Sequence, residues 1–298
     1  MKFELSVSSL LLLSLLTGHS SVALAAQEHS PIQSSVKTEL PNSQDTSLSA
    51  EDGIVNLLRV LHKVAQQDIH QVLSELILRG GNEAVNLSVK MQLETIIGQE
   101  NQFHSTLTYT NVSRTSPKKY RVVSDGEKVW TYDIANNQYS VMPYEQFSQT
   151  SKDRIFIGLY TTFMMSMLES FRSDQAFSEN RELWSQLMTN EAFIEEFESQ
   201  LMKENFRFGV ENYQGKDYST VSISVPKDEA DIKMRIDPTT AQIQDISLRG
   251  KTDEFKFAFE ESVQSQPDFL NVDGSELFTF APPEGAKLLE EPISLQPF

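Results

Sequence analysis

The 298-residue chain contains no cysteine. This absence excludes a disulfide framework, a thiolate nucleophile, cysteine-ligated zinc and a lipid attached to cysteine. Basic residues are also scarce, since 25 lysines and arginines stand against 42 acidic residues, for a formal net charge of −17. Nucleic-acid binding and docking on anionic membranes both need basic clusters, so the composition argues against both. The 39% of hydrophobic residues suffice for a packed core.

The first 25 residues have the pattern of a secretory signal peptide. Lys2 supplies a positive charge, residues 10–16 (LLLLSLL) form an apolar run, and Ala23 and Ala25 match a signal-peptidase site. A membrane anchor needs about 18 or more apolar residues, so this run is too short to be one. We expect cleavage near Ala25 and a periplasmic mature chain with no integral membrane span.

Composition and periodicity divide the rest of the chain. Residues 26–50 are rich in serine, glutamine and proline, which predicts a flexible polar leader. Apolar positions from Ile54 to Ile77 recur at helical spacing and predict one long amphipathic helix that can break near His70. We expect a single domain over residues 51–290 and a C-terminal tail over residues 291–298.

After Gly81 the apolar period changes from 3.6 to 2, which is typical of strands with one buried and one wet face. Helical stretches interrupt these strands at residues 153–170 and 180–204. The predicted fold class is therefore α+β: a curved antiparallel sheet of about eleven strands, forming a half barrel that helices close. The predicted strands are residues 87–93, 103–109, 120–123, 128–132, 138–142, 206–213, 218–225, 232–236, 243–248, 255–259 and 277–280.

Three segments carry a family resemblance. They are the hairpin at residues 123–133 (VSDGEKVWTYD), a later hairpin at 232–237 (IKMRID) and 242–246 (QIQDI), and the closing residues 278–286 (FTFAPPEGA). In this order they resemble the periplasmic outer-membrane lipoprotein carrier (LolA-like) superfamily. The resemblance implies a half barrel with a helical lid over an apolar cavity for acyl chains. It does not imply lipoprotein carriage, because relatives with this fold include receptors and regulators of envelope-stress signalling.

The same resemblance suggests a latch for the lid. Arg114 matches an arginine that, in the carriers, bonds carbonyl groups of the lid helix. A guanidinium suits this role because it is planar, rich in donors and always charged. Here Thr115 and Ser116 separate Arg114 from Pro117, whereas the family has an Arg-Pro pair. The alternative is a solvated loop arginine.

Candidate ligand-binding residues lie in the middle helical stretch and on one strand. Flexible thioethers and aromatic rings suit a surface that repacks around alkyl chains, although a plain core helix would use the same residues. On the strand, Trp130 and Tyr132 share one face and could line the cavity or pack in a core. The candidates are Trp130, Tyr132, Phe156, Leu159, Phe163, Met164, Met165, Met167 and Leu168.

No motif for catalysis is present. The chain lacks a G-x-S-x-G elbow, an H-E-x-x-H motif and a glycine-rich phosphate loop, and its histidines lack metal-ligand spacing. We expect no enzymatic activity, no cofactor and no metal, although a carboxylate pair for hydrolysis stays open. The predicted function is to shield lipid or lipoprotein acyl chains. The alternatives are an envelope sensor or interaction protein that binds a membrane-anchored partner and, less favoured, an exported hydrolase.

Overall fold

The computed structural model describes residues 50–65, 69–81, 86–111, 117–149, 151–173, 194–195, 201–202, 205–225, 230–251, 256–265 and 274–295. The helices are α1 (Ala50–Ala65), α2 (Tyr144–Gln149), α3 (Ser151–Phe156), α4 (Leu159–Ser173) and α5 (Gly274–Leu277). The strands are β1 (His70–Gly81), β2 (Asn86–Ile97), β3 (Gln102–Asn111), β4 (Lys118–Asp125), β5 (Lys128–Asp133), β6 (Gln138–Pro143), β7 (Phe206–Tyr213), β8 (Lys216–Val225), β9 (Ala230–Asp237), β10 (Gln242–Lys251), β11 (Lys256–Ser265) and β12 (Lys287–Leu288).

The described strands form one sheet in the order β12-β6-β5-β4-β3-β2-β1-β11-β10-β9-β8-β7. All neighbours are antiparallel except β12 and β6, which run parallel. Strands β1–β6 form one meander and β7–β11 another, and the two meet where β1 pairs with β11. The sheet is curved and unclosed, with β12 and β7 at its ends. The predicted antiparallel sheet with helices is confirmed.

Local sequence chemistry sets the turns between strands. The Asp125 carboxylate accepts hydrogen bonds from the backbone N–H groups of Glu127 and Lys128. Gly126, which follows Asp125, has a φ of 101°. This φ belongs to the left-handed region, which glycine enters without steric cost. A Cβ at Gly126 would also lie 2.3 Å from the Glu100 carbonyl oxygen. The turn at 125–128 therefore fixes the β4–β5 register.

Helix α1 packs across β7, β8 and β9 through one apolar stripe. The stripe has the spacing of a helical face, and its members are Ile54, Leu57, Leu58 and Leu61. Gly53 allows close approach, because a Cβ there would lie 3.1 Å from the Phe208 side chain. Asn56, which is buried, donates a 2.8 Å hydrogen bond to the Ser219 hydroxyl. The helix therefore covers the β7 end of the sheet.

Three predicted elements need correction. The first helix ends at Ala65, and residues 70–81 form β1, because their burial alternates residue by residue and not every 3.6 residues. Residues 277–280 are not a strand. Phe278 packs against Gly98 whereas Phe280 packs against Trp130, and two prolines follow. The stretch at 153–170 is two helices, separated at Gly158, whose φ is 108°. Most of the predicted helix at 180–204 lies outside the described residues.

An aromatic cluster covers the face of the sheet that points away from the main core. Phe280, from the segment after α5, stacks on Trp130 with ring centroids 6.1 Å apart. Tyr132 and Tyr139 lie 6.1 and 5.5 Å from the same ring. We call these four residues the outer-face cluster. It binds the C-terminal segment to β5 and β6, as does the short parallel strand β12.

Replacing Phe280 with alanine should lower the free energy of unfolding by about 3 kcal/mol, the usual cost of truncating a buried phenylalanine. The variant should also shift the Trp130 fluorescence to longer wavelength, because the indole loses its cover. Trp184→Phe provides a background in which Trp130 is the only tryptophan. Chemical denaturation with fluorescence detection measures both effects.

The control is Leu288→Ala on β12. Leu288 is 52% exposed, so its truncation should cost less than about 0.5 kcal/mol. Equal destabilisation by the two substitutions would contradict the role given to Phe280.

Candidate ligand-binding interior

The main core lies between one face of the sheet, here called the inner face, and helices α1–α4. Helices α2, α3 and α4, here called the helical cover, rest on its central strands. Phe147 of α2 lies 5.7 Å from Phe103, and Phe156 of α3 lies 6.3 Å from Phe259, between ring centroids. Other apolar residues of the inner face include Leu76, Leu78, Val89, Met91, Leu93, Leu107, Val122, Met142, Val221, Met234 and Ile246.

The cover brings together five of the candidate residues, and all five are buried in the main core: Phe156, Leu159, Phe163, Met164 and Met165. Met167 and Leu168 belong to α4, but their side chains lie outside the described part, as does the whole of Arg114. The burial of these side chains does not distinguish a packed core from the lining of a ligand site, because both require it.

The structure places Trp130 and Tyr132 on the opposite face from these residues. Their neighbour Val129 points to the inner face and joins the main core. Trp130 and Tyr132 instead join the outer-face cluster under Phe280. Because successive side chains of a strand point to opposite faces, neither aromatic residue borders the helical cover.

A buried carboxylate connects the helical cover to the centre of the sheet. Glu261 of β11 is 1% exposed and points to the inner face. Its Oε2 accepts the backbone N–H of Tyr160 at 2.9 Å, and the N–H of Leu159 donates to it as well. Its Oε1 accepts the Ser74 hydroxyl of β1 at 2.5 Å. One side chain thus caps the first turn of α4 and joins both meanders of the sheet.

Two features of the backbone make room for this contact. Gly158 precedes α4 with a φ of 108°, and a Cβ there would lie 3.0 Å from Glu261 Oε1. Ser74 follows the regular alternation of β1, in which Val72, Ser74 and Leu76 are all buried, so its hydroxyl points to the inner face and to the carboxylate. A larger residue at 158 would separate α4 from its cap.

Burial raises the pKa of Glu261, while the Ser74 hydroxyl and the two helix N–H groups act in the other direction. Burial dominates because the low-dielectric core disfavours the charged form. The folded state therefore keeps a proton that the unfolded chain releases near pH 4.5. This group's contribution to stability falls as the pH rises from 4.5 towards its raised pKa.

A second polar contact lies at the other side of the first turn of α4. His70 Nε2 and the Tyr160 hydroxyl are 2.6 Å apart, and the two rings stack with centroids 5.7 Å apart. Burial, with a smaller contribution from Lys63, lowers the pKa of His70 to about 4. Burial also raises the pKa of Tyr160, so the phenol stays protonated. Both rings are neutral near pH 7.

A buried arginine joins the three helices of the cover. Arg154 of α3 is 6% exposed. Its Nη1 donates to the Ser148 carbonyl oxygen of α2 at 3.4 Å, and its Nη2 donates to the Ser166 hydroxyl of α4 at 3.2 Å. The Arg154 carbonyl oxygen accepts the Thr162 hydroxyl at 2.7 Å. Arg154 makes contacts of the type predicted for Arg114, with a helix carbonyl among its acceptors.

The inner face has no arrangement for nucleophilic or metal chemistry among its described residues. The Ser74 hydroxyl donates to Glu261, whereas His70 contacts Tyr160, so serine and imidazole do not pair. Thr95 and Ser105, directly opposite on β2 and β3, hydrogen-bond to each other at 2.5 Å. Across the described ranges, no group of three His, Asp or Glu residues could hold a metal ion.

Neither Glu261 nor Arg154 was predicted from the sequence, although a signal for one was present. Phe257 and Phe259 define the inner-facing positions of β11, and Glu261 continues that alternation. A carboxylate at an apolar position of a strand predicts a buried partner. Arg154 carries no comparable signal, because a helix of one and a half turns does not reveal which face is buried.

Replacing Glu261 with alanine should lower the free energy of unfolding by about 3 kcal/mol, because the helix N–H groups and the Ser74 hydroxyl lose their acceptor. Thermal and urea unfolding measure the change. The matched control is Glu260→Ala, one residue away on the outer face. Glu260 forms exposed ion pairs with Arg79 and Arg249, whose loss should cost about 1 kcal/mol at most. Equal effects would contradict the capping role of Glu261.

His70 predicts a pH dependence of stability. Between pH 6.5 and 4 the unfolded chain protonates His70 and the folded protein does not. The contribution of His70 to the free energy of unfolding should therefore fall by about 1.4 kcal/mol per pH unit as the pH is lowered through this range, measured as the difference between wild type and His70→Gln. In His70→Gln that contribution disappears, whereas those of Glu261 and the other carboxylates remain in both proteins. Parallel curves of unfolding free energy against pH would contradict the buried, neutral state of His70.

No described helix is long and apolar enough to cross a bilayer. No protein-family model matches the sequence, and no curated protein matches it.

Solved structures do resemble the chain, at 8 to 10% sequence identity. An uncharacterized conserved protein of Thermus thermophilus has 9% identity and a TM-score of 0.39, covering 78% of this chain and 96% of its own. LprF of Mycobacterium bovis has 10% identity and a TM-score of 0.34, covering 74% and 96%. A LolA superfamily protein of Nitrosomonas europaea has 8% identity and a TM-score of 0.30, covering 78% and 99%. The described part of the chain is thus an unclosed, curved antiparallel sheet packed against helices.

Proposed function

We propose that this protein is a periplasmic carrier-like protein that binds acyl chains of lipids or lipoproteins between the inner face and the helical cover. The observation that carries the proposal is the composition of this interface. The cover contributes two phenylalanines and two methionines, Phe156, Phe163, Met164 and Met165. The inner face contributes three methionines, Met91, Met142 and Met234. Unbranched thioethers change conformation at low cost, so they can repack around alkyl chains of different shape.

The energy available for binding is large. Moving about a dozen methylene groups out of water contributes roughly 0.8 kcal/mol each, or about 10 kcal/mol before ordering costs. Part of this is offset because the side chains of the cover must move aside and lose their own packing. The net affinity therefore depends on how readily α3 and α4 separate from the sheet.

The construction of the cover supports such a movement. Its helices are short, and Gly158 interrupts them between α3 and α4. The described polar contacts between the first turn of α4 and the sheet include those of Glu261 with the backbone and of His70 with Tyr160. Opening would expose these groups to water, which replaces their hydrogen bonds, so the cost stays moderate.

The proposal requires no chemistry. Hydrolysis would need a nucleophile beside a base, whereas Ser74 donates to a carboxylate that also caps a helix. Both oxygens of Glu261 are engaged, which leaves neither directed at a substrate. This arrangement favours binding over an exported hydrolase.

A fluorescent fatty-acid probe should bind the purified, delipidated protein at one or a few saturable sites, and unlabelled fatty acid should displace it. Probe emission should rise, because the fluorophore enters an apolar site. The control is Phe280→Leu, which alters only the outer-face cluster and should leave probe affinity within a factor of about two. Saturation is measured by titration and stoichiometry by native mass spectrometry.

A folded, delipidated protein that shows no saturable uptake would contradict the proposal. The interaction-protein alternative, in which the same fold binds a membrane-anchored envelope protein, would then be preferred.

A further inference from the structure

Arg154 is unusual among the cationic residues that the structure describes. The ion pairs in this part of the chain involve Arg79, Lys90, Lys216, Lys233, Arg235 and Arg249, which are at least partly exposed. Arg154 is 6% exposed and forms no ion pair with a described carboxylate. The one strongly buried guanidinium of the described residues thus has no counter-ion among the described carboxylates.

The contacts of Arg154 leave binding capacity unused. Its two hydrogen bonds, to Ser148 and Ser166, go to neutral oxygen atoms at 3.4 and 3.2 Å. Its Nε is buried and has no acceptor within the described ranges. A guanidinium is a permanent charge, and a buried charge is stabilised by a paired anion. A carboxylate or phosphate of a ligand would supply such a charge and accept two parallel hydrogen bonds.

The position of Arg154 fits the polar end of an acyl ligand. The guanidinium lies between α2 and α4, inside the helical cover. Its acceptor Ser166 lies one turn along α4 from Phe163, which is buried in the main core. A headgroup at Arg154 would therefore place its alkyl chain beside the apolar interface. We propose that Arg154 binds the anionic headgroup, a carboxylate or a phosphate, of the acyl ligand; this assignment rests on the proposed function.

Matched probes with the same alkyl chain test this assignment. Dodecanoate, dodecyl phosphate and methyl dodecanoate are titrated into the wild-type protein, and inorganic phosphate serves as the headgroup without a chain. Wild type should bind the two anionic probes at least about tenfold more tightly than the ester, the usual gain from a charge-assisted pair. Inorganic phosphate alone should bind far more weakly than dodecyl phosphate.

Arg154→Gln should remove the preference for anionic probes while changing ester affinity by no more than about threefold, since the apolar interface remains. Arg249→Gln removes the same charge from the outer face, where Arg249 pairs with Glu260, and should retain the preference. Ser166→Ala removes one neutral partner of Arg154 and should retain it as well. Circular dichroism and unfolding curves establish that each variant folds.

The outcomes separate the two proposals. If neither acids nor esters bind wild type, the proposed function fails. If wild type binds acid and ester equally, the assignment of Arg154 fails while acyl binding stands, and this result does not depend on any variant folding. Arg154-dependent binding of inorganic phosphate that equals binding of dodecyl phosphate would also overturn the assignment to a lipid headgroup.

Discussion

The contact on which the rest of the interior depends is that between the Glu261 carboxylate and the first turn of α4. Glu261 lies on β11, at the junction of the two meanders, where Ser74 of β1 donates to the same carboxylate. Two constraints follow from this one side chain. The residue before α4 must be glycine, and the helical cover must begin over the centre of the sheet. The acidic group thus fixes where the helices cross an otherwise apolar face.

Three ionisable groups of the described interior belong to the cover or its attachment. Glu261 and His70 hold the first turn of α4, and Arg154 joins α2, α3 and α4 to one another. Neutral buried pairs such as Thr95 with Ser105 and Asn56 with Ser219 bond to each other, and the surfaces around these contacts are aliphatic, aromatic and thioether. Such a division suits a cover that is attached at defined points and adaptable elsewhere, which a binding site for alkyl chains requires. It also gives the headgroup and the chain of a ligand separate environments.

The sheet was predictable from the sequence, whereas the attachment of the helices was not. Alternation of apolar and polar residues and turn residues such as Asp125-Gly126 identify ten of the strands. The β1 segment was mistaken for helix because Val72 and Leu76, four residues apart, satisfy both periods, and Ile77 on the other face of the strand fits the helical one. The sequence left open whether Trp130 and Tyr132 line a cavity or pack in a core, because alternation along a strand does not say which face of the sheet is the inner one. The contacts of Glu261 and Arg154 join residues distant in the chain, and a local pattern cannot contain them.

The central claim is that acyl chains occupy the space between the inner face and the helical cover. The most direct test is to locate the attachment sites of a photoreactive fatty acid whose diazirine is at the end of the chain. We predict saturable labelling, suppressed by unlabelled fatty acid, in peptides that contain residues 156–165 and the inner-facing residues of β2, β10 and β11. Labelling confined to the outer-face cluster around Trp130, or spread without saturation over the surface, would contradict the account.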